Sequence, residues 1–415
     1  MSSPITRIVI VGGGFGGIRA ALCLARKRLP NTTVTLISDK SHFEYHPALY
    51  RFVTGNSPLE VCIPLQEIFE GSSVEVIEAS ITSLNREGKT VIDAQGVSYS
   101  YDHLILALGS ETTYFGVPGL KEFSFGMKTV AEALRLKQQI IQTILSCQDT
   151  TLTTGEKTRN ASFVVIGAGA TGVEVAGRLI VYARSIAVAY GIDPSLVSVE
   201  LIEGAPKILP ALPEKFTRHI DTHLRELGVN IFCNRAVERQ EVEEVFLKDM
   251  KIGTRTVIWT AGVRANGLYE SLGFPVDKRG RVEVDEHLRV KGEDRIFVMG
   301  DAAITQYSGY AQTAFYDGAY LARVIQAVVT ERAFPFYKPG RPVNAIPAGP
   351  QWAAVLFLGS HFYGRIGWWL RRIADLESFL LILPFHKAFK VFWSGCISDT
   401  CTLCDSDKPH THTES

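Results

Sequence analysis

The sequence predicts an α/β architecture in which two doubly wound parallel units are combined, the second inserted in the first, with a small separate region near the C-terminus. Three observations lead there. The apolar run Ile8-Val9-Ile10-Val11 meets Gly12-Gly13-Gly14-Phe15-Gly16-Gly17, which reads as a buried strand, a tight turn and the start of a helix. Phe163-Val164-Val165-Ile166 meets Gly167-Ala168-Gly169-Ala170-Thr171-Gly172 in the same way. A later apolar strand, Ile296-Phe297-Val298-Met299, closes on Gly300-Asp301 and reads as a return to the first unit.

Glycine turns of this kind bring a pyrophosphate to backbone N–H groups at the positive end of a helix dipole. One such motif binds one dinucleotide. Two in one chain imply two Rossmann-like dinucleotide-binding domains, an arrangement suited to passing electrons from a nicotinamide to a flavin.

Taken in order, residues 5–11 form a strand, 15–28 a helix and 33–38 a second strand, a complete βαβ unit. Asp39 stands just past that strand, next to Ser38, where an acid meets ribose hydroxyls. Residues 74–106 alternate short strand-like runs with turns and end at Leu104-Ile105-Leu106-Ala107-Leu108-Gly109. A helix is expected over 129–147, and the polar stretch 149–160 reads as a linker. The pattern then restarts: strand 163–166, helix 171–190 and strand 197–203, ending on Glu203. Glu203 lies farther past Gly167 than the ~20 residues usual for the ribose-binding acid, because the helix is long and a loop follows it. A carboxylate there accepts from ribose hydroxyls and repels a 2′-phosphate, which favours NADH over NADPH. Thr256-Val257-Ile258-Trp259 is another strand, followed by Thr260-Ala261-Gly262. Asp301 is expected to bond a ribityl hydroxyl, with a helix starting near Ala302.

The divisions that follow are 1–155 and 276–330 for the first unit, 156–275 for the second, 331–395 for a C-terminal region rich in proline and aromatic residues, and 396–415 for a polar tail. In 376–392, Leu376, Phe379, Leu380, Leu383, Phe389 and Phe392 fall near helical spacing. Arg371, Arg372, Lys387 and Lys390 flank them, Trp368, Trp369 and Trp393 bracket them, and Pro384 divides the helix. An apolar stripe with basic and aromatic flanks suits a membrane interface; a core-facing helix or a homodimer contact is the alternative use.

Composition narrows the classes further. Formal net charge is zero, so nothing in bulk charge favours nucleic acid. Mean hydropathy is +0.10, which hints at an apolar surface, yet no run reaches the ~18 apolar residues of a membrane span. Seven scattered cysteines do not suggest an oxidising compartment. Cys396, Cys401 and Cys404 with His410 and His412 have metal-like spacing, but only one close pair is present and no metal site is assigned.

The motifs together resemble the pyridine-nucleotide-disulfide oxidoreductase superfamily, and within it the type II NADH dehydrogenases, single-chain NADH:quinone oxidoreductases. The resemblance is carried by Ile10 to Gly17, Phe43-Glu44-Tyr45-His46-Pro47-Ala48-Leu49-Tyr50, Gly169 to Gly177, and Leu201-Ile202-Glu203-Gly204-Ala205-Pro206-Lys207-Ile208-Leu209-Pro210. Trp259 to Val263, Val298 to Ala302 and Ala311-Gln312-Thr313-Ala314 complete the set.

It implies FAD on Gly12, Gly14, Phe15 and Gly17, with Ser38, Asp39, Pro47, Gly109, Gly300 and Asp301. It implies NADH on Gly167, Gly169, Thr171, Gly172, Glu203, Ala261 and Gly262. Pro47 would lie beside the flavin ring, and Glu174 near the meeting point of flavin, nicotinamide and quinone, where a carboxylate relays protons. Ala311 to Ala314 would line the acceptor pocket, with Gln312 as its polar contact and Thr313 and Ala314 also at the cofactor. The implied reaction takes hydride from NADH to the flavin and passes electrons to a membrane quinone without pumping protons. The implied location is the cytoplasmic side of the cell membrane, as a peripheral protein.

One departure stands out. The family pattern after Ala-Gln-x-Ala continues with glutamine or glutamate before glycine, whereas here Phe315-Tyr316-Asp317-Gly318 follows. This leaves a different quinone, or another acceptor, as the alternative. A sulfide:quinone oxidoreductase would need redox cysteines around the flavin; none occurs just before or after the second glycine fingerprint, and Cys396 lies far toward the tail. The intact fingerprint with Glu203 also argues against it, while a disulfide reductase would need a close cysteine pair that 38–60 does not contain. An apoptosis-inducing-factor-like flavoprotein would differ in its turnover.

Overall fold

The structure is a computed structural model that describes residues 5–394. Five strands make a parallel sheet: β1 (Thr6–Val11), β2 (Thr32–Ser38), β3 (Val74–Glu78), β4 (His103–Leu106) and, after a long excursion, β9 (Ile296–Val298). The excursion contains a second parallel sheet of β5 (Ser162–Ile166), β6 (Ser198–Ile202), β7 (Val229–Phe232) and β8 (Thr256–Trp259). Their orders are β3-β2-β1-β4-β9 and β7-β6-β5-β8. In both, the strand before the glycine turn lies inside the sheet, between its next strand and a later one. That is the crevice at which open α/β sheets bind ligands.

The strands are apolar because both faces are covered. Every residue of β5 and β8 is buried, as are Ile8 to Val11 of β1. Helix α1 (Phe15–Lys27) follows the first turn and α5 (Ala170–Ala189) the second. Helix α6 (Ala311–Val329) packs on α1 so closely that a Cβ on Gly318 would stand 2.4 Å from the Gly16 carbonyl oxygen. Three remaining strand-like runs of the 74–106 stretch form a separate antiparallel sheet, 81–85, 90–93 and 98–100.

The expected helix over 129–147 is α3 (Val130–Leu145). Thr129 accepts from the Glu132 N–H while the Glu132 carboxylate takes the Thr129 N–H, a reciprocal cap. Two expectations need correction. The stretch read as a linker contains α4 (Thr154–Asn160), opened by the same device at Thr153 and Glu156. No long helix starts near Ala302: Gly300–Ala302 is a single tight turn, and α6 begins only at Ala311.

The C-terminal region opens with a three-stranded antiparallel sheet, 344–347, 353–357 and 360–362. Helix α7 (Gly364–Ile382) follows, then Pro384 and α8 (Phe385–Ser394), so the proline divides the helix as expected. Three residues of the expected stripe face inward, since Phe379, Leu383 and Phe392 belong to the core. The exposed apolar side chains of α7 are Leu380 (38%) of that stripe and, outside it, Ile366 (65%), Trp369 (50%) and Ile373 (56%). Helix α7 has apolar residues on two faces, and periodicity alone does not say which one is covered.

Candidate functional site

The two glycine turns share one stereochemical design. Gly12 has φ +116° and a Cβ there would lie 2.3 Å from the Ala107 carbonyl oxygen; one on Gly17 would lie 1.9 Å from the Gly12 oxygen. In the second turn, Gly167 has φ +100° and its Cβ would stand 2.6 Å from Ala261 Cα, while one on Gly172 would be 1.8 Å from the Gly167 oxygen. The middle glycines differ: nothing lies within 4 Å of a Cβ on Gly14 or Gly169. Each is also the N-cap of its helix and makes no side-chain cap bond. The outer glycines let the chain pass itself, and the middle one leaves open space before free helix N–H groups, where a pyrophosphate docks.

A discriminating pair of variants follows. Gly17→Ala forces a methyl group into backbone and is expected to destabilise the fold by ~1–3 kcal/mol. Gly14→Ala should keep the melting temperature of the flavin-free parent and lose bound flavin, read from flavin absorbance per protein.

In front of the first turn lies a cavity of about 670 Å³, within the usual range for small-molecule sites. Gly12 to Gly16, Ser38, Asp39, Gly109, Gly300, Asp301 and Ala314 line it, so the structure brings most of the first-site residues together. Ser110, Lys128 and Glu44 also line it and were missed in the sequence. Asp301 accepts from Ser110 Oγ at 2.5 Å, and Lys128 Nζ is 2.8 Å from that hydroxyl and 3.8 Å from the Asp301 carboxylate. The buried Thr313 hydroxyl has no hydrogen-bond partner among the described residues. An open cradle and a lining carboxylate fit a dinucleotide bearing a polyol chain.

Glu44 has much of its charge compensated at the rim. Burial alone would raise its carboxyl, but His42, His46, Lys40 at 2.6 Å and the Val130 N–H at 3.0 Å hold it far below the usual carboxylate range. Burial also lowers the His46 imidazole, so His46 favours its neutral form.

At the second turn, Glu203 accepts the Ala168 N–H at 2.8 Å and the Ala205 N–H at 2.9 Å. Both oxygens are thereby oriented beside the glycine loop with acceptor capacity left over. Thr260 Oγ1 bonds the Ile166 and Gly167 carbonyls at 2.9 and 2.8 Å, which fixes the loop against the Ala261-Gly262 segment. Thr171 is exposed beside the open space at Gly169.

A charged cluster joins the 45–60 stretch to the C-terminal helix α7. Helix α2 (Leu49–Val53) supplies Arg51, α7 supplies Arg371, Arg372 and Asp375, and a turn supplies Glu60. Asp375 is completely buried. It accepts from Arg51 at 2.8 Å, from the Tyr45 hydroxyl at 2.7 Å and from Arg371. Glu60 pairs with Arg51 and Arg372, each at 2.8 Å. Arg371 also donates to the Pro47 carbonyl at 3.0 Å, tying α7 to the loop expected beside the flavin. Arg371 and Arg372 are therefore structural cations and not interfacial flanks. Lys387 likewise bonds Glu67 and Glu70, the latter at 2.5 Å. The sequence signal was local and faint: Arg371 and Asp375 are four apart on one helix face.

Glu174, on α5, lies in the field of that cluster. Burial raises its carboxyl, the nearby Arg371 and Arg51 partly offset this and Asp375 adds to it, with the net result pushed up to about 8. A carboxyl raised this far keeps its proton at pH 7. Gln312 is less free than expected. Its amide donates to the Val343 carbonyl at 3.2 Å and accepts the Val343 N–H at 3.0 Å. Asp317 lies beneath the Gly300 turn, fully buried, and does not face an open pocket. Cys396, Cys401, Cys404, His410 and His412 lie outside the described residues.

Two cradles of one design on two parallel sheets define a two-dinucleotide oxidoreductase. The family model described as pyridine nucleotide-disulphide oxidoreductase matches residues 6–318. The type II NADH:quinone oxidoreductase NdhA of Mycobacterium tuberculosis is 32% identical over 78% of this chain and 72% of its own length. Ndh of the same organism is 30% identical over 96% and 88%. The chain belongs to the pyridine nucleotide-disulphide oxidoreductase family and, within it, to the type II NADH:quinone oxidoreductases. The fold also matches NDH2 from Plasmodium falciparum, solved with NADH, with a TM-score of 0.84 at 19% identity, covering 94% of this chain and 99% of that one. A sulfide:quinone oxidoreductase from Aquifex aeolicus reaches 0.75 at 19% identity, covering 94% and 95%. Fold alone does not separate these two activities.

Proposed function

We propose that this protein oxidises NADH and reduces a membrane quinone through FAD held on the first cradle. The observation that supports it best is the duplicated glycine turn, with Glu203 oriented at the second copy. When bound, FAD supplies two-electron redox chemistry between the two substrates. The residues of the chain position and protonate. Helix N–H groups behind Gly14 and Gly169 receive the pyrophosphates. Glu203 takes the adenosine ribose hydroxyls and disfavours a 2′-phosphate. Asp301, braced by Ser110 and Lys128, takes the ribityl hydroxyls. Pro47, held by Arg371, lines the flavin. Glu174 holds a proton for the quinone, which lies toward Ala311–Ala314. The first unit is formed by 1–155 and 276–330, the second by 156–275.

Among the described residues no helix is long and apolar enough to cross a membrane. Ile366, Trp369, Ile373 and Leu380 on α7, with Phe385 and Trp393 on α8, present exposed apolar side chains to an interface. We read 331–395 as the region that rests on the lipid surface, where a lipid-soluble quinone is met.

Steady-state turnover with a water-soluble quinone tests this reading. NADH should be the efficient donor and NADPH a poor one. Quinone-independent NADH oxidation, or equal use of NADPH, would contradict it. The double variant Trp369→Asp and Ile373→Asp should keep that turnover and lose flotation with anionic vesicles; flotation equal to the parent's would remove the membrane assignment.

A further inference from the structure

A second carboxylate lies behind the turn that carries Asp301. Asp317 is fully buried. One of its oxygens accepts the Gly300 N–H at 3.0 Å and the other accepts the Tyr337 hydroxyl at 2.8 Å. Gly300 has φ +70° and lines the cavity together with Asp301 and Ala314. The Asp317 side chain therefore holds a left-handed glycine turn at the cofactor wall, and its hydrogen-bond partners there are a backbone N–H and a phenol, not a cation. A carboxylate buried in this way cannot be screened by water.

We propose that Asp317 is a positioning residue for the FAD site: it fixes the Gly300–Asp301 turn and sets a titratable negative charge behind the cofactor wall, so that its protonation state shifts the reduction potential of the bound FAD. The inference rests on FAD occupying the first cradle. The groups facing Asp317 are Asp301 from the turn and Tyr337 from the 331–343 segment. Tyr316 and Tyr320, on its own helix, pack against the Tyr337 ring, and the Arg19 guanidinium on α1 is turned to the Leu381 carbonyl. His287 stands behind Tyr320, 3.0 Å from its hydroxyl. Burial raises the Asp317 carboxyl, its two donors oppose this and the Asp301 charge adds to it, leaving it at about 6. A negative charge behind the wall disfavours adding negative charge in front of it. Asp317 thus holds a proton more tightly when the cofactor is reduced, and the potential falls faster with pH where Asp317 titrates.

The test is the flavin midpoint potential of the holoenzyme between roughly pH 5 and pH 8, measured with no NADH or quinone present. The parent should show an extra downward step near the Asp317 value. Asp317→Asn should lose that step and, toward the alkaline end, read higher by about tenfold in the equilibrium, ~30 mV for a two-electron couple. A variant holoenzyme with the parent's potential and profile overturns the inference. If Asp317→Asn does not fold or retain FAD, Tyr337→Phe decides. Losing a donor to the ionised carboxylate should move the step to higher pH, and an unmoved step overturns the inference. A parent protein that binds no FAD would instead overturn the function proposed above.

Discussion

Glu174→Gln is expected to slow quinone reduction by ~10²–10⁴-fold, the range for removing a positioned general acid. Reduction of the flavin by NADH should change little, because that half-reaction needs no proton from this side chain. In the parent, the Glu174 carboxyl is pushed up to about 8 by burial. It carries its proton below that value and loses it above, so the quinone half-reaction should fall as pH rises through about 8 and the variant should lack this limb. The stability sign is opposite to the activity sign. The unfolded chain releases this proton near ~4.3, while the folded chain keeps it to the raised value, so folding stability drops as pH rises across that window. Glutamine removes that loss. The variant should therefore gain thermal stability on the parent in mildly alkaline buffer and show no such gain near the unfolded value. A variant with parent-like quinone kinetics would remove Glu174 from the chemistry.

Asp375→Ala carries the largest expected stability effect. It removes the carboxylate shared by Arg51 and Arg371 and leaves buried guanidinium charge uncompensated, which costs about 3–5 kcal/mol in comparable cases. Arg51 and Arg372 retain Glu60, so the loss falls mainly on Arg371 and the Tyr45 hydroxyl. Tryptophan fluorescence in a urea series follows this well, because Trp368, Trp369 and Trp393 lie on the two C-terminal helices. The transition should come at clearly lower urea. Activity should fall as well, since Arg371 holds the Pro47 carbonyl. An unshifted transition would mean that the cluster adds nothing to the docking of α7.

What could be read from the sequence was what local rules encode. The two strand–turn–helix units, the return of Ile296–Val298 to the first sheet, the helix that starts at Thr129 and the helix break at Pro384 all follow from spacing, apolar runs and special backbone residues. The helix at Thr154–Asn160 was overlooked although Thr153 and Glu156 spell its cap, because polar composition outweighed a four-residue signal. The exposed face of α7 was misjudged for a different reason. Phe379 and Leu380 are neighbours in sequence, and only the packed structure decides that Phe379 is core and Leu380 surface.

The central cluster was the least accessible part. Tyr45, Arg51 and Glu60 meet Asp375 and the C-terminal arginines across most of the chain, and no local pattern announces such a pairing. Asp317 was visible only as a departure from the family's motif. Only the packed structure brings its carboxylate to the Gly300 N–H.

The central claim is that two dinucleotide cradles in one chain connect NADH to a quinone through FAD. Anaerobic rapid mixing of the purified holoenzyme tests it most directly. NADH should bleach the flavin spectrum in a first mix, and a soluble quinone should restore it in a second. No bleaching by NADH, or bleached flavin that the quinone leaves unchanged, would contradict the account.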